Sequence, residues 1–558
     1  MNRTSPNSFT DILAHRAEHT PERTAYHFVS GEDTDTVSYA QLYRSVLAAS
    51  AALREHARPG ERVLLLPGPG ERFVVAFLAA LHSGLIAVPS YPPVNPKNLA
   101  RLRAVSADAT PVAVVADAPV LDLLPADDPV FAGLARLDAA TLGAGTPDPV
   151  AAVPASPAFL QYTSGSTGVP KGVMVTHANL LHNSAVIAGQ MRLDDGSTLV
   201  SWLPPYHDMG LVGGVLQPLF SGFPGVLTPP MEFLQQPMRW LRLISRFGAT
   251  VSGGPDFAFE LCVRRYRPDT ADDDDLDLSS WTVAFSGSEP IRPSTLNRFT
   301  ETFAPRGFHR SAWFPCYGLA EATLFVSGGP VGAPEPVTRT VASDGPDGGT
   351  EHVACGQLPD DLDVRIVAQD GDTPLPDGEV GEIVVAGASV TAGYWNGRAP
   401  EQFGLRLPGR AEPFLRTGDL GLIADGQLYI TGRLKDVLII RGRNHYPQDV
   451  EACAERSHDL VRAHGVAAFT APGADGDRLV VVAEMFQRKD PEEIAAATAA
   501  IRRAVAEELG LHVHTVTPVR ARALPRTANG KLQRQECRRQ FLDGALNLLV
   551  SAGQEAAR

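Results

Sequence analysis

Cysteine is scarce and scattered. The chain has five, Cys262, Cys316, Cys355, Cys453 and Cys537, in 558 residues, with no C-x-x-C spacing. That excludes a disulfide scaffold and a zinc ribbon, and it predicts a reduced, cytoplasmic protein. Long apolar runs are missing as well. The longest, Phe73 to Pro89, is broken by His82, Ser83 and Gly84. It reads as a helix followed by a buried strand, not as a membrane span. Positive charge is in deficit, with 49 Lys and Arg against 63 Asp and Glu, a net charge of -14. This argues against nucleic acid and against a basic membrane patch as partners. Residues 1–11 are polar and lack a signal-type stretch. The 51 glycines and 46 prolines are spread through many turns, not gathered in a low-complexity tract. What remains is a long, ordinary globular composition, 44% hydrophobic, and more than one domain in length.

The most telling stretch is Tyr162 to Val173, which reads YTSGSTGVPKGV. Glycines let the backbone turn sharply and approach a ligand. Hydroxyls, successive N–H groups and a lysine can surround an anion. The loop Ser164, Gly165, Ser166, Thr167, Gly168 with Lys171 is therefore a candidate phosphate site. It is not the usual P-loop of a kinase, because Lys171 is followed by Gly172. Ala158 to Gln161 reads as a strand before it, and His177 to Gln190 as a helix after it.

Upstream, strands over Arg62 to Leu66 and Val112 to Ala116 alternate with helices over Arg72 to Leu81 and Leu99 to Ala107. Asp122 to Ala151 reads as a surface connection. Downstream, strands over Thr198 to Leu203, Gly225 to Thr228, Ala249 to Ser252 and Trp281 to Gly287 alternate with helices over Leu211 to Phe220, Gln236 to Phe247 and Pro293 to Phe303. This alternation predicts an α/β fold of mostly parallel sheets covered by helices. Ligands in such sheets bind beyond the carboxyl ends of strands, so Gly165, His207, Gly254 and Gly287 are expected to face one crevice.

Tyr317-Gly318-Leu319-Ala320-Glu321 places an aromatic, a glycine and a carboxylate at an expected helix start. Tyr317 can lie on a purine, and Glu321 can ligate Mg²⁺ between phosphates. Strands over Glu379 to Ala386 and Gln427 to Gly432 suggest a small β-rich lobe. Within it, Asp419, between glycines at a strand end, can accept two ribose hydroxyl protons. The remainder alternates again, with helices over Pro447 to Glu455 and Pro491 to Leu509, and reads as a compact α+β unit. The expected division is 1–434 for a large domain and 435–558 for a small, mobile one. Lys531 follows an Asn-Gly turn near its end.

Taken in order, the Ser164–Lys171 loop, Tyr317-Gly318…Glu321, Arg416-Thr417-Gly418-Asp419, Gly432-Arg433…Asp436 and Pro525…Gly530-Lys531 resemble the acyl-adenylate-forming superfamily. That group holds acyl-CoA synthetases, nonribosomal adenylation domains and luciferases, and the resemblance covers nearly the whole chain. Ser201 to Leu211, Ser252 to Pro255 and Arg441 to Asp449 look most like its fatty acyl-AMP ligase branch. The resemblance implies an enzyme that uses ATP and Mg²⁺ to turn a carboxylic acid into an acyl-adenylate. It then passes the acyl group to the phosphopantetheine of an acyl carrier protein, in lipid, polyketide or nonribosomal peptide biosynthesis. It implies that Thr163, Ser164 to Gly168 and Lys171 hold the leaving phosphates, and that Glu321 holds Mg²⁺. Tyr317 would stack on adenine in a slot lined by Gly287, Ser288, Cys316 and Gly318. Asp419 and Arg433 would reach the ribose, His207 would gate the acyl pocket, and Lys435 would be the hinge. Lys531 would bridge the substrate carboxylate and the α-phosphate. Gly329 to Cys355 looks shorter than in typical members of the branch, which keeps CoA as an alternative acceptor. A catalytically silent nucleotide- or carrier-binding scaffold fits poorly with Glu321, Asp419 and Lys531 all retained.

Overall fold

A computed structural model describes residues 6–549 except 94–95, 144–149, 151, 165–169, 269–274, 342–348, 370, 441–442, 474–475, 487–489 and 528–529. Residues up to Arg433 form two large sheets. One has six strands, in the order Ala135–Asp138, Ala113–Ala116, Arg62–Leu65, Ile86–Pro89, Pro157–Ser164 and Pro170–Thr176. All its pairings are parallel except the last. Its central strands Ile86–Pro89 and Ala113–Ala116 are buried at every residue, as a sheet covered on both faces requires. The helix Glu71–His82 beside it buries ten of its residues, Phe73 to His82, which is why its sequence reads as one apolar run.

The second sheet has fourteen strands. Its parallel part includes Leu199–Ser201, Val251–Gly254, Val283–Ser286 and Trp313–Gly318. Trp313–Gly318 is parallel to Val283–Ser286 on one side and antiparallel to Phe325–Gly328 on the other. The expected β-rich lobe is thus joined to the parallel part by an unbroken hydrogen-bond ladder. From Leu438 onward there are a two-stranded and a three-stranded sheet, with the helices Pro447–Arg456 and Pro491–Leu509 packed into their own core around Val450, Val481 and Ile501. Among the described residues no strand of this part pairs with the large sheets. No helix among them is long and apolar enough to cross a membrane.

Several expectations need correcting. Residues from Pro170 on, which the sequence places in the phosphate loop, form a strand, Pro170–Thr176, antiparallel to Pro157–Ser164. The helix His177–Gln190 follows with the expected bounds, capped by Thr176 and Asn179. The surface connection contains an edge strand, Ala135–Asp138. The helix at Leu211 begins as a π-helix, Met209–Leu216, and continues as Gln217–Ser221. Glu321 sits in a single 3₁₀ turn, Ala320–Ala322, not at a helix start. Asp419 lies inside the strand Leu415–Ala424, beside a bulge, not at its end.

Candidate active site

A cavity of about 1190 Å³ lies beyond the carboxyl ends of the parallel strands. Its wall includes Thr163, Lys171, His207, Ser288, Cys316, Tyr317, Gly318, Glu321, Asp419, Arg433, Lys435 and Lys531. Residues separated by hundreds of positions thus meet in one space. The loop residues Gly165, Ser166, Thr167 and Gly168 and the Ser164 side chain lie outside the described residues. The hairpin register still places Thr163 directly opposite Lys171 at the base of that loop.

Strand register explains the Asp419 corner. Asp419 and Arg433 are cross-strand partners, close enough for opposite charges to meet. Arg433 Nε donates to Asp419 Oδ1 at 2.9 Å, and the Tyr317 hydroxyl donates to Oδ2 at 2.7 Å. Both carboxylate oxygens are anchored, yet each keeps a lone pair for an incoming hydroxyl. Burial, with the nearby Asp419 charge, pushes the Tyr317 hydroxyl well above its ordinary pKa, so it stays a donor.

The opposite wall turns on a residue that the sequence did not reveal. The Tyr394 hydroxyl donates to Glu321 Oε1 at 2.6 Å. Lys171 Nζ lies 4.7 Å from the centre of the Tyr394 ring, a cation–π distance. Tyr394 therefore fixes a cation and a carboxylate relative to each other. It is itself pinned by a backbone bridge to Val173 on the hairpin. Burial pushes the Glu321 carboxyl up, and the Tyr394 hydrogen bond partly opposes this. No group of three His, Cys, Asp or Glu among the described residues could hold a metal. A lone carboxylate such as Glu321 suits a Mg²⁺ that arrives already bound to phosphates.

His207 Nδ1 lies 2.6 Å from Asp208 Oδ1, and Asp208 also accepts from the Met209 N–H at 2.7 Å. Burial pushes the Asp208 carboxyl up, but His207, Lys531 and the Met209 N–H together hold it below the usual range. Asp208 falls within the stretch Ser201 to Leu211, whose sequence alone assigns it no role. Lys531 enters the cavity from the last sheet unit. Burial lowers the pKa of its ammonium group, with Arg433 acting in the same direction and Asp208, Glu289 and Asp419 opposing. The charges of three carboxylates from the large part thus favour the ammonium form of Lys531.

Two residues expected in the crevice do not line it. Gly254 packs against Trp202. Gly287 packs behind the wall, where a Cβ would come 2.7 Å from the Cys316 carbonyl oxygen, so only glycine fits. Its neighbour Ser288 does line the cavity, at a φ of 77°. The cavity wall also has an apolar side that includes Met191, Leu199, Val251, Phe285 and Leu324.

Comparison with known proteins agrees with this geometry. The family described as AMP-binding enzyme matches residues 13–395, and the AMP domain of Disco-interacting protein 2-like proteins matches 435–551. The medium-chain-fatty-acid–[acyl-carrier-protein] ligase JamA of Moorena producens is 37% identical, covering 98% of this chain and 97% of its own. The long-chain-fatty-acid–AMP ligase FadD26 of Mycobacterium marinum is 36% identical, over 97% of this chain and 98% of its own. Among solved structures, a fatty acyl-adenylate ligase from Legionella pneumophila, in complex with acyl adenylate and pyrophosphate, superposes with a TM-score of 0.75 at 36% identity, covering 98% of both chains.

Proposed function

Because the chain belongs to the AMP-binding enzyme family, we propose that its cleft joins a fatty acid to the adenylyl group of ATP. Pyrophosphate leaves, and the acyl group then passes to the phosphopantetheine thiol of an acyl carrier protein. One observation carries this reading above the others: Lys531, from the far end of the chain, lines the same cavity as Asp208, Tyr317, Glu321 and Asp419. A carboxylate is already ionised at neutral pH, so the reaction requires no general base. It requires in-line positioning and neutralisation of growing charge.

Each residue has a place in that scheme. Lys171, with Thr163 and the loop Ser164 to Gly168, holds the phosphates that leave. Glu321, oriented by Tyr394, takes the Mg²⁺ that accompanies ATP, and that ion neutralises phosphate charge when bound. Tyr317 and Gly318, with Ser288 and Cys316, line the adenine slot. Asp419 and Arg433 receive the ribose. Lys531 bridges the acid and the α-phosphate, where charge accumulates. His207, held by Asp208, gates the apolar side of the cavity. The cavity exceeds the 300 to 1,000 Å³ of an ordinary ligand pocket, as a site for both a nucleotide and an acyl chain should. We divide the chain into residues 1–434 and 435–558, with Lys435 as the hinge about which the second part turns between the two half-reactions. The reduced thiols and the reaction suit the cytoplasm.

A carrier protein is the acceptor favoured by JamA, whose name specifies one. The test is a pyrophosphate-release screen over acids of varied length and ring content, followed by competition between holo-carrier protein and CoA. Release is expected with medium or long fatty acids, and transfer to the carrier. Faster formation of acyl-CoA would replace the acceptor, and silence across the whole panel would overturn the activity.

A further inference from the structure

Of the residues that bring Lys531 to the cleft, only Arg526 lies in the cavity wall. Arg292 stands just before the helix Pro293–Phe303, and Glu455 lies on the helix Pro447–Arg456 of the small part. Arg292 Nη1 is 2.6 Å from Glu455 Oε2, and the Glu455 side chain is only 7% exposed. The Arg292 backbone N–H donates to Asp256 Oδ1 at 3.0 Å, and Thr295 Oγ1 donates to Asp256 Oδ2 at 2.9 Å. Asp256, almost fully buried, also has His464 Nε2 at 3.9 Å from Oδ2.

The chain of contacts continues inside the small part. Burial pushes the Glu455 carboxyl up, and Arg292 and the His464 backbone N–H act against it. His464 has a φ of 54°, and its carbonyl oxygen accepts from Arg526 Nη2. Arg526 Nη1 donates to the Gly530 carbonyl at 2.8 Å. Gly530 directly precedes Lys531. On its other side, Gly530 sits against the Phe257 ring, where a Cβ would come within 3.0 Å. Phe257 follows Asp256, and its N–H donates to Glu289 Oε1 at 2.7 Å.

We propose that Arg292 and Glu455, with Asp256, His464 and Arg526, form a latch between the two parts of the chain that sets the position of Lys531. These are positioning residues. Arg292, Glu455, Asp256 and His464 stand outside the cavity wall; with Arg526 they select the one orientation of the small part in which Lys531 points into the cleft. A misplacement of about 1 Å costs on the order of 100-fold in rate, so a latch of this kind decides the speed of acyl-adenylate formation without touching nucleotide. The latch rests on the adenylation reading for its rate effect, but not for its effect on Lys531 itself.

The test uses the full-length enzyme with Glu455→Ala and, from the other side of the contact, Arg292→Gln. Two quantities are read. Acid-dependent ATP–pyrophosphate exchange should fall about 100-fold in kcat, with KM for ATP within about threefold. Labelling of Lys531 by acetic anhydride, followed by peptide mass spectrometry, should rise at least about tenfold as the ammonium leaves its enclosure. Glu455→Asp should restore part of both. Wild-type rates of exchange and of labelling in both variants would overturn the latch. If no acid supports exchange in the wild type, the adenylation reading falls, while Lys531 labelling still decides whether the contact positions this lysine. One variant that fails to fold leaves the other to decide.

Discussion

Lys531 is the residue on which most depends. Lys531→Ala should lower acyl-adenylate formation, followed by hydroxamate trapping, by at least about 100-fold. Equilibrium binding of ATP should change little, because the phosphates and ribose have other partners. Unchanged trapped product would refute the assigned role. Tyr394 allows a finer experiment. Its hydroxyl lowers the pKa of Glu321, which burial otherwise raises. Removing it in Tyr394→Phe takes away the largest influence opposing burial, so the carboxyl titrates at a higher pH than in the wild type. The acid limb of the kcat/KM profile should move to higher pH, since only ionised Glu321 can hold Mg²⁺. A profile that stays in place would mean that Glu321 is not the group titrating. The legibility of these residues follows from how locally each is encoded. Glu321, Asp419 and Lys531 sit in short, distinctive words. Tyr394 acts through Lys171 and Glu321, both far away in sequence, and Arg292 through Glu455 in the same way; no local spacing announces such a pair.

At the scale of elements, hydrogen-bonding demands tie helices to sheets. The Trp240 indole N–H, on the helix Met238–Phe247, donates to Ser252 Oγ at 2.7 Å, and Ser252 donates to the Val200 carbonyl at 2.6 Å. One hydroxyl thus joins a helix and two neighbouring strands. Ser252→Ala leaves a fully buried indole N–H unpaired and should destabilise the large part by about 1–3 kcal/mol, read as a lower thermal midpoint. An unshifted midpoint would show that the hydroxyl is dispensable. The helices His177–Gln190, Pro293–Phe303 and Pro491–Leu509 were legible to the residue, because caps and prolines mark their ends. The hairpin strand Pro170–Thr176 was hidden by its opening Pro, Lys and Gly, which read as loop. The strand Ala135–Asp138 was hidden by its short length within a stretch rich in Pro, Asp and Gly. The π-helix carries no pattern distinct from an ordinary apolar helix.

At the scale of the molecule, the contact between the two parts contains a buried acid. Burial, and then the charge of Glu289, push Asp256 up to about 7. A carboxyl raised in the folded state contributes stability that is complete below its unfolded pKa of about 4. That contribution disappears as pH rises through about 7. The melting midpoint of the wild type minus that of Asp256→Asn should therefore fall between pH 5 and pH 8; a constant difference would show that Asp256 is ionised throughout. The α/β alternation and the order of motifs made the fold class readable from sequence. The joining of the β-rich lobe to the parallel sheet was not, because it depends on which strands neighbour Trp313–Gly318, a fact of topology and not of composition.

The five cysteines have a practical consequence. Four are buried and Cys316 is half-buried, and burial alone pushes the Cys316 thiol up to about 12, so none presents a ready thiolate. A pair of dye-accepting cysteines could be placed on the outer faces of residues before 434 and after 435 without first stripping the native ones. Energy transfer between the dyes would then test whether the tail unit swings during turnover, in an otherwise unaltered enzyme.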